Sequence, residues 1–212
     1  MIYGITGRKQ HGKSTLAAAM RAAEPTFQTL SFAGALKNVC KTVFNLTNAQ
    51  MEDGILKETP FPTPLILDDY LEALSYQTQL NLEPKGLIAT TPRQILQHVG
   101  TGYVRACCPT YWLDIIERHL LIPGNYLIPD TRFLNESQLI KRHLGRVVRI
   151  VDLDRAATEA VDHHPSEAEM ASIVPDWTLE FHHGDFKGIE KAANWLSKWP
   201  ACSASVSPSS SE

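Results

Sequence analysis

Three features are missing from this 212-residue sequence: a long apolar run, an excess of basic residues, and a pair of cysteines at metal-ligand spacing. No segment approaches the roughly 18 apolar residues that a membrane-spanning helix needs, so no membrane partner is expected. A formal net charge of −3 offers no chain-wide basic surface for a nucleic acid polymer. The first residues, MIYGITG, show no secretory signal, which predicts a cytoplasmic protein.

The absence of a CxxC pair argues against a zinc or redox motif and predicts free thiols, mostly in the core. The four cysteines are Cys40, Cys107, Cys108 and Cys202. Two histidine doublets, His163-His164 and His182-His183, have no carboxylate or cysteine at ligand spacing. We interpret both doublets as polar loop or strand-end residues rather than metal ligands.

Short apolar runs alternate with helical patterns along most of the chain. Strands are predicted at five places, MIYGIT, FQTLSF, NYLIPD, RVVRIVDL and WTLEF. Helices between successive strands imply parallel pairing, so the expected fold is α/β, a three-layer doubly wound sheet of about five parallel strands. Ligands of such sheets bind beyond the carboxyl ends of the strands.

Local signals place several helix ends. Thr47 with Gln50 and Thr91 with Gln94 have capping-box spacing, and Gly145 is predicted to end a helix that begins near Asn135. Two stretches depart from the alternation. ETPFPTPLILDD, from Glu58, contains prolines that exclude regular helix and predict a mobile loop or a small excursion. Residues 201–212 are Ser-rich and predict a disordered tail, leaving residues 1–200 as one domain.

The stretch GRKQHGKST satisfies the phosphate-binding pattern G-x-x-x-x-G-K-[ST], directly after a predicted strand and before a helix. Gly7 and Gly12 let the backbone approach an anion closely. Lys13 is expected to reach the β- and γ-phosphates, Ser14 to ligate Mg²⁺, and Thr15 to bind the α-phosphate. Nucleotide binding is assigned to the entire P-loop, that is Gly7, Arg8, Lys9, Gln10, His11, Gly12, Lys13, Ser14 and Thr15.

Further cations and a carboxylate follow other predicted elements. Arg93 lies in the first turn of a capped helix, where a cation opposes the helix dipole unless an anion is bound. Lys37 lies one turn into a helix, either at a phosphate site or in solvent. Asp130 ends a predicted strand and Arg132 follows it, so they could hold Mg²⁺ and a phosphoryl group, or simply pair with each other.

The P-loop is followed, in this order, by SFAGALK, TPRQILQHVG, DTRFLNE and HPSE. This ordered set resembles the bacteriophage deoxynucleoside monophosphate kinases, a family of the P-loop nucleotide kinase superfamily, from Met1 to about Trp199. The resemblance implies transfer of the ATP γ-phosphoryl group, with Mg²⁺, to a deoxynucleoside monophosphate for DNA precursor synthesis. It also implies a nucleoside monophosphate kinase fold, with a lid and a substrate-binding excursion after the second strand, in the host cytoplasm if the chain is viral.

The same resemblance assigns roles to individual residues. Lys37, Arg93 and Arg132 would hold the acceptor phosphate. Arg155 would be a lid arginine, while Ser166 and Glu167 would contact substrate or steady the lid. The expected catalytic set is therefore Lys13, Asp130, Arg132 and Arg155, with Ser14 and Asp130 at the metal. The chain departs from the family at Gly34-Ala35, where an acidic residue and proline are common, and at His183, where asparagine is usual.

Several alternatives stay open on the sequence alone. The acceptor base could stack on an aromatic ring, but each candidate could equally be a core residue: Phe32, Tyr103, Tyr111 and Trp112. Another phosphorylated acceptor, such as a coenzyme precursor or phosphomevalonate, would use the same cradle. A nucleotide-hydrolysing switch is less favoured because the sequence contains no N-K-x-D guanine motif. The accepted bases and the oligomeric state are not determined, with a homodimer among the alternatives.

Overall fold

The computed structural model describes residues 1–157 and 165–199, with the backbone alone for residues 165–168. The predicted disordered tail, residues 201–212, and the doublet His163-His164 lie outside the described residues. The chain divides into two compact units, which we describe separately. Unit 1 comprises Met1–Leu30 and the chain from Ile122 onward, and unit 2 comprises Ser31–Leu121.

The described residues form seven strands and ten α-helices. The strands are β1 (Ile2–Thr6), β2 (Phe27–Thr29), β3 (Leu65–Ile66), β4 (Ile88–Ala89), β5 (Asn125–Ile128), β6 (Arg146–Asp152) and β7 (Trp177–Phe181). The α-helices are α1 (Lys13–Ala23), α2 (Phe32–Phe44), α3 (Asn48–Glu52), α4 (Leu71–Thr78), α5 (Pro92–Gln97), α6 (Tyr111–Leu120), α7 (Leu134–Arg142), α8 (Leu153–Ala156), α9 (Pro165–Ser172) and α10 (Phe186–Lys198). Short 3₁₀ turns cover Leu56–Glu58 and Leu67–Tyr70, and a π-helical stretch covers His98–Arg105. No helix within these described ranges is both long and apolar enough to cross a bilayer.

Unit 1 contains a five-stranded sheet in the order β2-β5-β1-β6-β7, and every neighbouring pair is parallel. The predicted α/β fold is therefore confirmed. Strand β1 lies at the centre, with Gly4 opposite Ile128 of β5 on one side and Val147 of β6 on the other. The loop that follows β1 consequently leaves the sheet between the loops that follow β5 and β6.

Alternating side chains of β1 build the layers on either face of this sheet. Tyr3 and Ile5 are buried in a cluster with apolar residues of α1 and α10, including Leu16 and Leu196. Gly4 points to the opposite face, where an added Cβ would lie 2.4 Å from Cδ1 of Ile140 on α7. Helices thus cover both faces, which gives the three layers that the sequence predicts.

Unit 2 begins directly after β2 and has a core of its own. Its buried residues come mainly from α2 to α6, the π-helical stretch and β4, which pairs with β3 in a two-stranded antiparallel sheet. Strands β3 and β4 were not predicted, because each has only two residues. The proline-rich stretch from Glu58 is mostly exposed but is attached at two points: Phe61 N–H donates to Thr90 O at 2.7 Å, and Leu67 is fully buried.

The core interpretation holds for several residues whose role was open. Tyr103 and Trp112 are buried in unit 2, and Trp112 Nε1 donates to Gly100 O at 3.2 Å. Cys40 is a core thiol, and burial raises its pKa to about 12. Cys107, by contrast, is exposed, so the prediction of mostly buried thiols is wrong at that position.

One predicted helix end is also wrong in detail. Helix α7 ends at Arg142, and the left-handed conformation that follows falls on Leu144, with φ of 58°, rather than on Gly145. Gly145 is needed for close packing instead, because a Cβ there would lie 2.8 Å from Ile140 O and 2.9 Å from Ile2 Cβ. The sequence therefore placed the helix end within a few residues, but the residue in the left-handed conformation is Leu144, beside the predicted glycine.

Candidate active site

The loop Gly7–Thr15 connects the central strand β1 to helix α1, the context predicted for a P-loop. Gly7 and Gly12 have φ of 145° and 87°, conformations that favour glycine. A Cβ on Gly7 would lie only 2.4 Å from Ile150 O on the neighbouring strand β6. The loop therefore follows β6 too closely to admit a side chain at its first position.

The Lys13 side chain folds back over this loop. Its Nζ donates to Gly7 O at 2.6 Å and to Arg8 O at 2.5 Å. Ser14 and Thr15 are exposed in the first turn of α1, and no described side chain caps that helix. Backbone N–H groups in this arrangement, together with the helix dipole, are suited to binding phosphate.

In the polar insert of the loop, Gln10 is exposed and His11 is buried, and each makes a hydrogen bond to the segment at the end of β6. Arg8 and Lys9 are exposed. His11 is 4% exposed, and its Nδ1 accepts from the N–H of Asp152 at 3.1 Å. Gln10 Oε1 accepts from Arg155 Nη1 at 2.6 Å. The insert therefore ties the P-loop to the segment that follows β6.

Four loops of unit 1 emerge at one edge of the sheet, because β5, β1, β6 and β7 are adjacent and parallel. These loops carry most of the candidate residues of unit 1 together with residues that the sequence did not single out. They are Asp130–Arg132 after β5, Gly7–Thr15 after β1, Leu153–Arg155 after β6, and His182–Asp185 after β7. This is the edge at which ligands of parallel sheets bind.

The turn after β5 is held by a buried carboxylate. Glu136 is 1% exposed, and its Oε2 accepts from the N–H of Arg132 at 2.7 Å and of Phe133 at 3.1 Å. Thr131 is fully buried and donates to Ile128 O at 3.2 Å. Asp130 lies two residues beyond the end of β5 and is half-buried, so its backbone turn is fixed from both sides.

The turn after β7 carries two aspartate–histidine pairs. His182 Nδ1 lies 3.0 Å from Asp154 Oδ1, and His183 Nδ1 lies 2.8 Å from Asp152 Oδ2. The His183 hydrogen bond lowers the pKa of Asp152 despite the opposing effect of desolvation. Each histidine thus serves one carboxylate, and the described residues contain no cluster of three or more potential metal-binding side chains.

Two further candidate cations lie in unit 2, and each is paired with a carboxylate. Lys37 Nζ donates to both carboxylate oxygens of Glu52, at 2.8 and 2.9 Å. Arg93, in the first turn of α5, pairs through Nε with Oε1 of Glu58. The two cationic side chains are partly exposed to solvent, Lys37 to 22% and Arg93 to 29%. The bare cation at a helix start, expected from sequence, is therefore neutralised in this structure.

Three remaining candidates are placed as follows. Phe32 begins α2 and is 4% exposed, so little of its ring is available for stacking. Ser166 and Glu167 belong to α9 by their backbone, but their side chains lie outside the described residues.

The sequence is 31% identical over 188 residues to an Acanthamoeba polyphaga mimivirus protein described as "Putative deoxynucleotide monophosphate kinase". The match covers 82% of this chain and 83% of the relative. This chain belongs to the deoxynucleotide monophosphate kinase family. The predicted kinase family is thereby confirmed, whereas a bacteriophage origin stays a prediction. No protein-family model matches the sequence of this kinase.

Among solved structures, that of TT1252 from Thermus thermophilus has 15% sequence identity to the kinase and a TM-score of 0.44. It covers 92% of this chain and 95% of its own. This likeness is too distant to bear on function.

Several residues of the candidate site escaped the sequence interpretation. Glu136 could have been found, because it stands three residues after Phe133, the spacing of a helix-capping glutamate. Asp152 and Asp154 could not, because their histidine partners lie 31 and 28 residues away. Only the pairing of β6 with β7 brings these residues together.

Proposed function

We propose that this kinase transfers the γ-phosphoryl group of ATP to a deoxynucleoside monophosphate and releases the deoxynucleoside diphosphate, a DNA precursor. The observation that carries the proposal is a P-loop at the end of the central strand whose first position admits only glycine, in a chain that belongs to this family. Residues 1–200 would form the kinase domain.

The P-loop fits a nucleotide polyphosphate. Gly7 has no room for a side chain. The N–H groups in the first turn of α1 receive no cap from a described side chain, so they can bind phosphate. Lys13 would exchange its two loop carbonyls for phosphate oxygens, which are charged and bind ammonium more strongly. Its ammonium would then neutralise charge that develops during transfer.

The Ser14 hydroxyl and the Asp130 carboxylate are the groups we assign to Mg²⁺, because oxygen ligands suit this ion. When bound, Mg²⁺ supplies positive charge to the phosphate oxygens. Ser14 is exposed in the first turn of α1, and Asp130 follows the neighbouring strand β5. Both residues therefore leave the sheet at the edge that carries the P-loop.

The acceptor phosphate is assigned to the cations Lys37, Arg93 and Arg132, because each matches a motif of the deoxynucleotide monophosphate kinases. A phosphate monoester is already ionised near neutral pH, so its oxygen attacks without a general base. The protein's contribution is to position and neutralise charge. Arg155 is assigned to the transferring group because its guanidinium donates to Gln10 of the P-loop. Roles for Phe32, Ser166 and Glu167 in substrate binding belong to the same proposal.

A coupled turnover assay with ATP and Mg²⁺ tests this function. We expect turnover with at least one deoxynucleoside monophosphate and none with phosphorylated alcohols such as phosphomevalonate. Turnover confined to the phosphorylated alcohols would show that the proposed acceptor is wrong, while the proposed ATP site would be unaffected. ATP hydrolysis that needs no acceptor would contradict a kinase function and favour a nucleotide-dependent switch.

A further inference from the structure

Asp152 is a buried carboxylate that none of the roles above requires. It is the last residue of β6 and is 7% exposed. Placing a carboxylate there is unfavourable unless hydrogen bonds or charges compensate. Its partners therefore show what holds it in place.

The two oxygens of Asp152 have different partners. Oδ1 accepts from the N–H groups of Asp154 at 3.2 Å and Arg155 at 3.1 Å, which caps the start of α8. Oδ2 accepts from Nδ1 of His183 at 2.8 Å and lies 3.6 Å from Nε of Arg155. Helix capping uses only Oδ1, so Oδ2 is available to interact with the side chains of His183 and Arg155.

The same residue contacts the P-loop through its backbone. The N–H of Asp152 donates to Nδ1 of the buried His11, and Arg155 donates to Oε1 of Gln10 at 2.6 Å. Asp152 thus links the arginine and the loop within unit 1, through one hydrogen bond to the loop and one ion pair to the arginine.

We propose that Asp152 is a positioning residue for phosphoryl transfer, which holds the Arg155 guanidinium against the P-loop while His183 fixes the Asp152 carboxylate. This inference rests on the proposed function, because the role of Arg155 belongs to it. The relevant property is geometry: a guanidinium displaced by about 1 Å loses much of its effect on the transferring group.

The variant Asp152→Asn separates this role from capping. Its side-chain oxygen can still accept from the two α8 N–H groups, while its amide NH₂ would face Arg155 in place of Oδ2. We expect kcat to fall about 10- to 100-fold, the scale of a misplaced catalytic group. The KM for ATP should change by less than about threefold, since the P-loop groups that bind ground-state phosphate remain.

A double-mutant cycle with Arg155→Ala supplies the decisive readout. If Asp152 acts through Arg155, Asp152→Asn causes little further loss of kcat once the arginine is absent. Losses that simply multiply would overturn the proposal. Wild-type enzyme without turnover on any acceptor would remove the proposed function and this inference together, whereas an active wild type with multiplying losses would remove only this inference.

Substitutions of His183 serve if Asp152→Asn does not fold. His183→Asn keeps a side-chain donor of similar reach, whereas His183→Leu removes it. We expect His183→Asn to retain at least about half of the wild-type kcat and His183→Leu to lose roughly fivefold or more. Equal activity of these two variants, at equal thermal stability, would contradict a role for the His183–Asp152 hydrogen bond.

Discussion

Among single residues, the cations of unit 1 are the ones on which the proposed phosphoryl transfer depends most. Replacing Lys13 or Arg132 by alanine should lower kcat by at least about 100-fold, because each removes charge stabilisation from the transition state. Lys191→Ala, on the exposed face of α10, is the matched control and should leave kcat unchanged. Steady-state kinetics with melting curves for each variant make this check. Near-normal turnover of Arg132→Ala would remove that residue from the mechanism.

A second residue-level prediction concerns Glu58, the partner of Arg93. An acceptor phosphate that binds Arg93 must displace this carboxylate. Glu58→Gln should therefore lower the KM for the acceptor by roughly 1.5-fold to fivefold, the range for loss of one partly exposed ion pair, while kcat stays close to wild type. Glu190→Gln on α10 is the control, since Glu190 is exposed in unit 1. A raised acceptor KM in Glu58→Gln would show that Glu58 orients Arg93 rather than competing for it.

The Asp154–His182 pair predicts a pH-dependent stability. Its hydrogen bond raises the pKa of His182 above 6.5, and the charges of Asp185 and Asp152 act in the same direction. Hydrogen bonds from His183 N–H and from His182 hold the pKa of Asp154 below 3.8. The histidine contribution is complete below pH 6.5 and is lost as pH rises through the raised pKa. The aspartate contribution is present above pH 3.8 and is lost as pH falls through the lowered pKa.

Wild-type protein should therefore exceed His182→Ala in Tm by the largest margin near pH 5, and the margin should shrink toward pH 8. Both side chains are largely exposed, so the margin should not exceed about 2 °C. Thermal melts of the two proteins across this pH range measure it. A margin that is constant with pH would exclude the ion pair as its source.

Among the elements, helix α7 ends in a conformation that its sequence does not favour. Leu144 is 75% exposed and has φ of 58°, which is unfavourable for a residue with a Cβ. Leu144→Gly should raise Tm by about 2–4 °C, because it relieves this strain and removes few contacts. Val174→Gly, at a comparably exposed apolar residue outside the positive-φ positions, should lower Tm instead. Equal effects of the two substitutions would show that φ at Leu144 stores no strain.

An element could be predicted from the sequence when the interactions that define it lie close together along the chain. The strands of the main sheet and the capping pairs Thr47–Gln50 and Thr91–Gln94 were predictable, because each signal lies within a few residues. The two-residue strands β3 and β4 were not, since pairing across the fold defines them. Likewise, the P-loop could be predicted from its sequence motif. Its contacts with Asp152 and Arg155 could not, because they depend on the placement of β6 beside β1.

For the chain in full, the architecture explains why the candidate groups of unit 1 share one edge. Strand order β2-β5-β1-β6-β7 places the P-loop strand at the centre, with Asp130 and Arg132 on one side and Arg155 on the other. Unit 2 is inserted after β2, and Lys37 and Arg93 lie partly exposed in it, each paired with a carboxylate. Along the sequence, this insertion separates the P-loop from Asp130 and Arg132.

Product identification with ATP, Mg²⁺ and each of the four deoxynucleoside monophosphates bears most directly on the proposed reaction. Chromatography of reactions that contain γ-labelled ATP would follow the label itself. We expect the label in a deoxynucleoside diphosphate, in step with ADP formation, for at least one base. Label recovered only as inorganic phosphate, with every deoxynucleoside monophosphate unchanged, would contradict the assignment of this chain as a deoxynucleoside monophosphate kinase.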